Sequence, residues 1–452
     1  MSQPPASSPA PDRSRVTANV VRGCLGNLVE WYDWFVYATF SVYFAAVFFP
    51  AGDQTAQLLS TAVVFAVGFL MRPLGGWLLG AYADRFGRRR ALTLSVTLMS
   101  IGSLTIAATP SHDTIGIWAP VLLVLARLAQ GLSVGGEFGS SASYLAEVAP
   151  PGRRGFYSSF QYVSIVLGQL AALLVMILLQ RLLTEDQLQT WGWRVPFVVG
   201  AAAGLVVMYL RRTMEESQHF RQERAKAEST AGERKGLRAL FGEYPRQLIA
   251  VFGLAIGGTV AFYTYTTYLQ KYLVNTAGIE KSTVSVIGFA ALFVYMLLQP
   301  VAGHLSDRFG RRPVMFVFSA GGMLLTVPIM TVLGRTGNPW LAFLLMTTAL
   351  TFLTGYSALA AIIKAEMFPT KVRALGVGLP HALVTATFGG LTEPIALGLK
   401  NSGHETVFFW YVTGCVALTF LATLLIPEPS RTSLLEATEA APSRRSEAAR
   451  LT

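Results

Sequence analysis

The chain has 452 residues, 52% of them hydrophobic and 13% charged, with a formal net charge of +11. So apolar a composition excludes an ordinary soluble globular domain and points to a chain that lives largely in lipid. The positive charge by itself would admit a nucleic-acid partner, but its distribution along the chain excludes one.

Apolar stretches long enough to cross a bilayer, about 20 residues each, recur at 19–49, 58–82, 91–109, 116–147, 156–181, 192–210, 247–273, 283–306, 314–334, 339–367, 372–399 and 405–426. These twelve segments predict an all-α integral membrane protein. Most of the 36 lysines and arginines fall in the two tails and in the loops after segments 2, 4, 6, 8 and 10. Only Arg181, Lys271, Lys281, Arg335 and Lys400 lie near the opposite-side loops, and Arg72, Arg127, Arg194 and Lys364 fall within segments. By the positive-inside rule both termini are cytoplasmic, which requires an even number of spans independently of hydropathy.

Residues 1–18 are polar and rich in Pro and Ser, and read as a disordered cytoplasmic tail. No short apolar core with a small-residue cleavage site follows them, so the first span is expected to be retained. That span contains GNLVEWYDWFVYATF, residues 26–40, in which Glu30 and Asp33 interrupt an apolar run. Three apart, they can share one helical face, with Tyr37 one turn beyond Asp33. The second segment carries Arg72, and the loop after it carries Asp84 and Arg88. The fourth carries Arg127 and Glu137, together with Gly135, Gly136 and Gly139, which read as close helix contacts. At 1.5 Å per residue, Glu30, Arg72 and Glu137 lie about 15–16 Å from the cytoplasmic face. Glu147 and Arg154 follow the fourth segment, and Gln161 and Gln169 are polar positions on the fifth. Arg194 stands near the outer end of the sixth, just after Trp-Gly-Trp; substrate binding and snorkelling to the interface are both open to it.

After a charged linker at 211–246, the seventh segment brings the aromatic group Phe262, Tyr263, Tyr265 and Tyr268, which covers more than one helical face. Some of these must pack, while Tyr263 and Tyr265 are placed to donate to a carboxylate. Asp307 and Arg311 follow the eighth segment. Lys364 lies one turn inside the cytoplasmic end of the tenth, where a place in the gate is open to it, and Glu366 and Arg373 follow. His304 and His381 have no companions at metal-ligand spacing and read as packing residues. Cys24 and Cys415 both fall in predicted spans, so neither a disulfide framework nor a metal cluster is expected. Residues 427–452 read as a second disordered tail.

The chain also repeats itself. GAYADRFGRR (80–89) recurs as GHLSDRFGRR (303–312), and AEVAPPGRRG (146–155) as AEMFPTKVRA (365–374). Two six-helix units at 19–210 and 247–426 follow, an organisation suited to rocking one half against the other. What both copies keep is expected to be scaffold or gate. On that basis Asp84, Arg88, Glu147 and Arg154, with Asp307, Arg311, Glu366 and Arg373, form a cytoplasmic latch; the alternative is loop charge that only sets topology. The same offsets pair Arg72 with Tyr295, Arg127 with Met346 and Glu137 with Tyr356. Charges that duplication does not demand cost at least about 2.5 kcal/mol at bilayer depth, so they need a functional reason.

The G-x-x-x-D-R-x-G-R-R loops, R-x-x-Q-G at Arg127–Gly131 and E-x-x-P-x-x-x-R at Glu147–Arg154 resemble the major facilitator superfamily. Within it, GNLVEWYDW, GFLMRPLGGW, GLSVGGEFG, GWRVPF and AEMFPTKVRALGVG are similar to the metabolite:proton symporter family, over about residues 20–426. Phe86 and Pro394 stand within matching stretches where the relatives' residues are not assumed. The resemblance implies a proton-coupled symporter, not an enzyme, working as a monomer without a cofactor in a bacterial cytoplasmic membrane. Its expected substrate is 2-oxoglutarate, with citrate, shikimate or a zwitterionic osmolyte as alternatives.

The residues themselves point to a small anion. Arginine offers a planar fork matched to carboxylate, so Arg72 and Arg194 are the expected ligands, with Tyr37, Tyr263, Tyr265 and Gln161 beside them. Glu30, Asp33, Arg127 and Glu137 are the expected proton-coupling set: the anion competes for arginine, and an acid that loses its counter-charge takes up a proton. Fixed ion pairs, Asp33 with Arg72 and Arg127 with Glu137, are the plainer alternative. No GxxxxGK[ST] loop is present, so an ion or substrate gradient supplies the energy. A transporter-like sensor is the rival from another class, disfavoured by short loops and tails.

Overall fold

The computed structural model describes residues 13–86, 88–135, 138, 142, 145, 146, 149, 150, 152–212, 240–369 and 372–434. Every regular element among them is helical: α1 (Arg13–Phe48), α2 (Gln54–Phe86), α3 (Arg88–Ala108), α4 (His112–Ile115), α5 (Trp118–Val134), α6 (Arg154–Leu182), α7 (Glu185–Thr190) and α8 (Val195–Arg212), then α9 (Pro245–Tyr263), α10 (Leu269–Asn275), α11 (Lys281–Phe309), α12 (Arg311–Leu333), α13 (Pro339–Ser357), α14 (Ala360–Glu366), α15 (Arg373–Val384), α16 (Gly390–Asn401) and α17 (Glu405–Leu425). Two π-helical turns, Thr264–Tyr268 and Thr385–Gly389, join α9 to α10 and α15 to α16. Among the described residues nine helices are long and apolar enough to cross a membrane, and Thr93–Ala108 and Trp118–Val134 are shorter apolar helices.

Described structure reaches into both chain ends. Helix α1 begins at Arg13, inside the stretch read as disordered, because no Gly or Pro between 13 and 22 opposes helix. Likewise the chain after 426 is held through Ser430, by contacts of Glu428 described below.

In the first half, α1 packs on α6, α2 on α5, and α3 on both α5 and α8; in the second, α9 and α12 pack on α17, and α13 packs on α11 and α12. The halves meet along two seams, α6 against α11 and α2 against α15, α16 and the π turn between them. The α2–α5 crossing is tight because of glycine. A Cβ on Gly131 would overlap the Gly68 carbonyl, and one on Gly135 the Arg72 carbonyl, so these backbones touch.

Polarity is arranged for lipid rather than water. Leu70, Leu74, Trp77 and Leu78 on α2 face outward, as do Leu418, Leu421, Leu424 and Leu425 on α17, whereas Asp33, Arg127, Gln130 and Gln169 are buried. Apolar groups on the outside and hydrogen-bonding groups inside is the arrangement hydrocarbon requires.

Candidate functional site

The site grows from α1. Helical spacing turns Glu30, Trp31, Trp34 and Tyr37 inward, and α2 and α5 bring an arginine each to the same aromatic wall. Arg72 is 4% exposed, and its Cζ lies 4.1 Å from the ring centroid of Trp34, 4.3 Å from Phe69 and 5.2 Å from Trp31. Tyr263 from the second half lies beside this guanidinium, whose Nε and Nη2 have no hydrogen-bond partner. Those two nitrogens form one edge of the guanidinium, the edge that takes a carboxylate bidentately. Arg72, Glu30, Asn27 and Trp31 line a cavity of about 20 Å³ with Phe138 of the first half and Gly378, His381, Ala382 and Thr385 of the second. It has room for about one water, so a five-carbon diacid requires the halves to part.

Asp33 belongs to a different network. It is fully buried; Ser103 Oγ donates to its Oδ1 at 2.8 Å, Gln130 Nε2 donates to Ser103 Oγ at 2.9 Å, and Arg127 Nη1 donates to Gln130 Oε1 at 2.8 Å. Asp33 Oδ2 has no partner. A Cβ at position 200 would collide with Oδ1, so only glycine on α8 leaves room for the carboxylate. Arg127 is fully buried against Trp34, Tyr37 and Phe65, with its Cζ 4.1, 4.5 and 4.9 Å from their centroids. The alternative of a fixed Asp33–Arg72 pair is thereby corrected: Asp33 is linked through Ser103 and Gln130 to Arg127, and Glu30 is the acid beside Arg72. Gln130 stands in the R-x-x-Q-G motif but was given no role in the site, and Ser103, one serine in an apolar helix, carries no motif.

The other expected residues divide. Tyr37 donates to the Thr61 carbonyl at 3.0 Å while its ring faces Arg127. Tyr263 reaches the cavity side, stacked edge-on against Phe69 at 5.1 Å. Tyr265 does not; its hydroxyl is 2.5 Å from Thr326 Oγ1 on α12. Gln161 is buried on α6. Arg194 stands apart, its Nη1 donating to the carbonyls of Ala107 (2.6 Å) and Thr109 (2.7 Å) at the end of α3. Glu137 and Glu147 lie outside the described residues, as do the side chains of Asp84 and Arg88.

Two arrangements were missed in the sequence. Lys364 and His381, read as gate and packing residues, are joined by a 3.0 Å contact from Nζ to Nδ1. Lys271 and Glu393 form a buried ion pair. Lys271 lines a second cavity of about 30 Å³ between the halves, with Gln169, Gln180, Thr267 and Lys281 among its walls. Only Lys271 was visible as a lone outer-side charge, because its partner is 122 residues away.

On the side of the duplicated loops, Asp307 accepts from the backbone N–H groups of Gly155 (2.8 Å) and Phe156 (2.9 Å), at the start of α6 in the other half. Arg311 holds Asp307 at 2.8 Å and Glu366 at 3.1 Å. Arg154 is buried close by, and Arg373 Nε donates to the Phe368 carbonyl at 3.1 Å. A carboxylate on a helix N-terminus meets both unsatisfied N–H groups and the positive end of the dipole, so this contact fastens one half to the other.

Paired bundles meeting along two seams, with charges buried between them, define the class: a multi-pass transporter of the major facilitator fold. The chain belongs to the sugar (and other) transporter family, whose model matches residues 20–237 and 227–440. It is 51% identical over 414 residues to the alpha-ketoglutarate permease of Escherichia coli (strain K12), covering 92% of this chain and 94% of the relative. It is 34% identical over 439 residues to a citrate-proton symporter of Klebsiella pneumoniae, covering 92% and 95%. Among solved structures, the proton:xylose symporter XylE bound to 6-bromo-6-deoxy-D-glucose superposes with a TM-score of 0.74 at 22% identity, covering 94% of this chain and 99% of that one.

Proposed function

We propose that this protein is a proton-coupled symporter carrying 2-oxoglutarate into a bacterial cell across the cytoplasmic membrane by alternating access. In this reading twelve spans form bundles at 19–210 and 247–426, and both termini are cytoplasmic. The observation that carries it is Arg72: a guanidinium at the wall of an interhalf cavity, desolvated by aromatic rings, with one carboxylate-binding edge unoccupied. A buried cation with a free hydrogen-bonding edge is expensive unless its task is to receive an anion. The permease relative at 51% identity supports 2-oxoglutarate as that anion.

The anion docks on Nε and Nη2 of Arg72, beside Glu30. A proton on Glu30 or on Asp33 Oδ2 compensates its charge, and the Arg127–Gln130–Ser103 chain links Asp33 to the same aromatic wall. Closure of the Asp307 latch seals the cytoplasmic side while the outer side admits substrate; its opening releases substrate and proton inward. Arg194, bonded to the end of α3, serves in this reading as a brace at the outer rim rather than as a ligand.

Uptake of labelled 2-oxoglutarate into proteoliposomes, with and without an inwardly directed proton gradient, tests the proposal. Gradient-driven accumulation is expected. Uptake indifferent to the gradient removes the coupling, and accumulation of citrate in place of 2-oxoglutarate removes the substrate assignment.

A further inference from the structure

Lys364 is 1% exposed on α14, and among the described residues it has no acidic partner. Its Nζ lies 3.0 Å from His381 Nδ1 and 5.4 Å from the centroid of the Phe138 ring. The repeat places Leu145 at the equivalent position of the first half, so duplication does not account for the charge. A structural lysine in apolar surroundings is normally paired with a carboxylate. This one is paired with an imidazole, and that imidazole lines the cavity that also holds Arg72.

With Lys364 charged, the contact sets the chemistry of His381. An ammonium group only donates, so Nδ1 accepts and the ring proton resides on Nε2. His381 then offers an N–H donor, with the Lys364 charge behind it. Phe138 of the first half lies flat on the imidazole, ring centroids 3.6 Å apart and planes 20° from parallel, and closes this end of the cavity.

We infer that Lys364 and His381 form a second anion subsite, contributed by the second half, which takes the distal carboxylate of a dicarboxylate whose first carboxylate is on Arg72. The inference rests on the proposed symport of a 2-oxo diacid and adds to it the residues that distinguish two carboxylates from one. A substrate held by Arg72 on one half and Lys364 on the other bridges the seam, so binding itself draws the halves together. Arg127 is a poorer candidate for this task, since neither it nor Gln130, to which it donates, lines a cavity, whereas His381 beside Lys364 does, and it shares a half with Arg72. Phe138 leaves the imidazole when the diacid enters.

The test compares two competitors of labelled 2-oxoglutarate uptake in proteoliposomes: unlabelled 2-oxoglutarate and 2-oxopentanoate, which keeps the 2-oxo acid end and lacks the distal carboxylate. In Lys364→Gln the half-saturating concentration for 2-oxoglutarate rises about tenfold or more, that for 2-oxopentanoate changes little, and Lys364→Arg restores part of the discrimination. Equal weakening of both competitors, or undiminished preference for the diacid, overturns the subsite. Should Lys364→Gln fail to reach the membrane, His381→Gln carries the same comparison with the same two outcomes. Failure of the wild-type protein to take up 2-oxoglutarate would instead count against the proposed function, so the two failures are distinguishable.

Discussion

Arg72 and Arg127 each bring the guanidinium carbon within 4.1 Å of the ring centroid of Trp34, so a single indole holds two cations from different helices. Each cation–π contact is worth about 0.5–2 kcal/mol in a desolvated setting. Trp34→Leu keeps apolar bulk and removes the quadrupole. It is expected to raise the half-saturating concentration for 2-oxoglutarate about tenfold, with Arg72→Ala abolishing uptake altogether. Uptake measured at equal protein in the membrane checks both; an Arg72→Ala protein that still transports contradicts the site.

Asp33 carries one occupied and one unoccupied oxygen, and its occupied oxygen is the end of the chain from Arg127. If a proton cycles through that carboxylate, Asp33→Asn uncouples movement of the anion from movement of the proton. Exchange of internal for external 2-oxoglutarate is expected to persist, while accumulation against a gradient falls at least about tenfold, by the loss of linkage between the two sites. Ser103→Ala, which removes the donor to Oδ1 and leaves the acid, is expected to shift the pH dependence of accumulation without abolishing it. Counterflow and net uptake on the same vesicles separate these outcomes.

The fold was legible because lipid imposes a coarse code: long apolar segments, basic loops on one side and a repeated D-R-x-G-R-R loop need only composition and spacing. The charged residues of the site were visible for the same reason, since Asp33, Arg72 and Arg127 each stand out against an apolar segment. Their partners were not. Ser103 and Glu393 are unremarkable in their own helices, and the pairs they make with Gln130, Asp33 and Lys271 span 27 to 122 residues, distances set by packing of whole helices. Arg194 illustrates the converse: its composition suited an anion ligand, and only coordinates reveal that two backbone carbonyls occupy it.

Glu428, beyond the last helix, caps α12. The backbone N–H groups of Arg311 and Arg312 donate to its two carboxylate oxygens at 2.6 and 3.0 Å, and Ser430 Oγ donates at 2.8 Å. Burial pushes this carboxyl up, but the hydrogen bonds outweigh burial and hold it below its ordinary value. A carboxyl depressed in the folded state stabilises that state above its unfolded value, about 4.3, and loses the contribution as pH falls through the lower folded value. Wild-type protein is therefore expected to melt higher than Glu428→Gln at neutral pH, with the gap narrowing only below about pH 4.3. Melting curves of both proteins across that range check it; a gap that narrows near neutrality would assign the effect elsewhere.

Lys271 and Glu393 are each about 5% exposed, and Glu393 Oε2 has no partner beyond the pair itself. Removing one member leaves the other charged and buried, which costs about 3–5 kcal/mol, whereas replacing both by apolar groups of similar volume is often neutral. Lys271→Met and Glu393→Leu should each lower the melting temperature sharply, and the double substitution should recover most of the loss. Stability alone would leave the pair a structural strut. Because Lys271 also lines the second cavity, recovery of melting temperature without recovery of uptake would assign the ammonium to the anion's path, and recovery of both would confine it to holding α10 against α16.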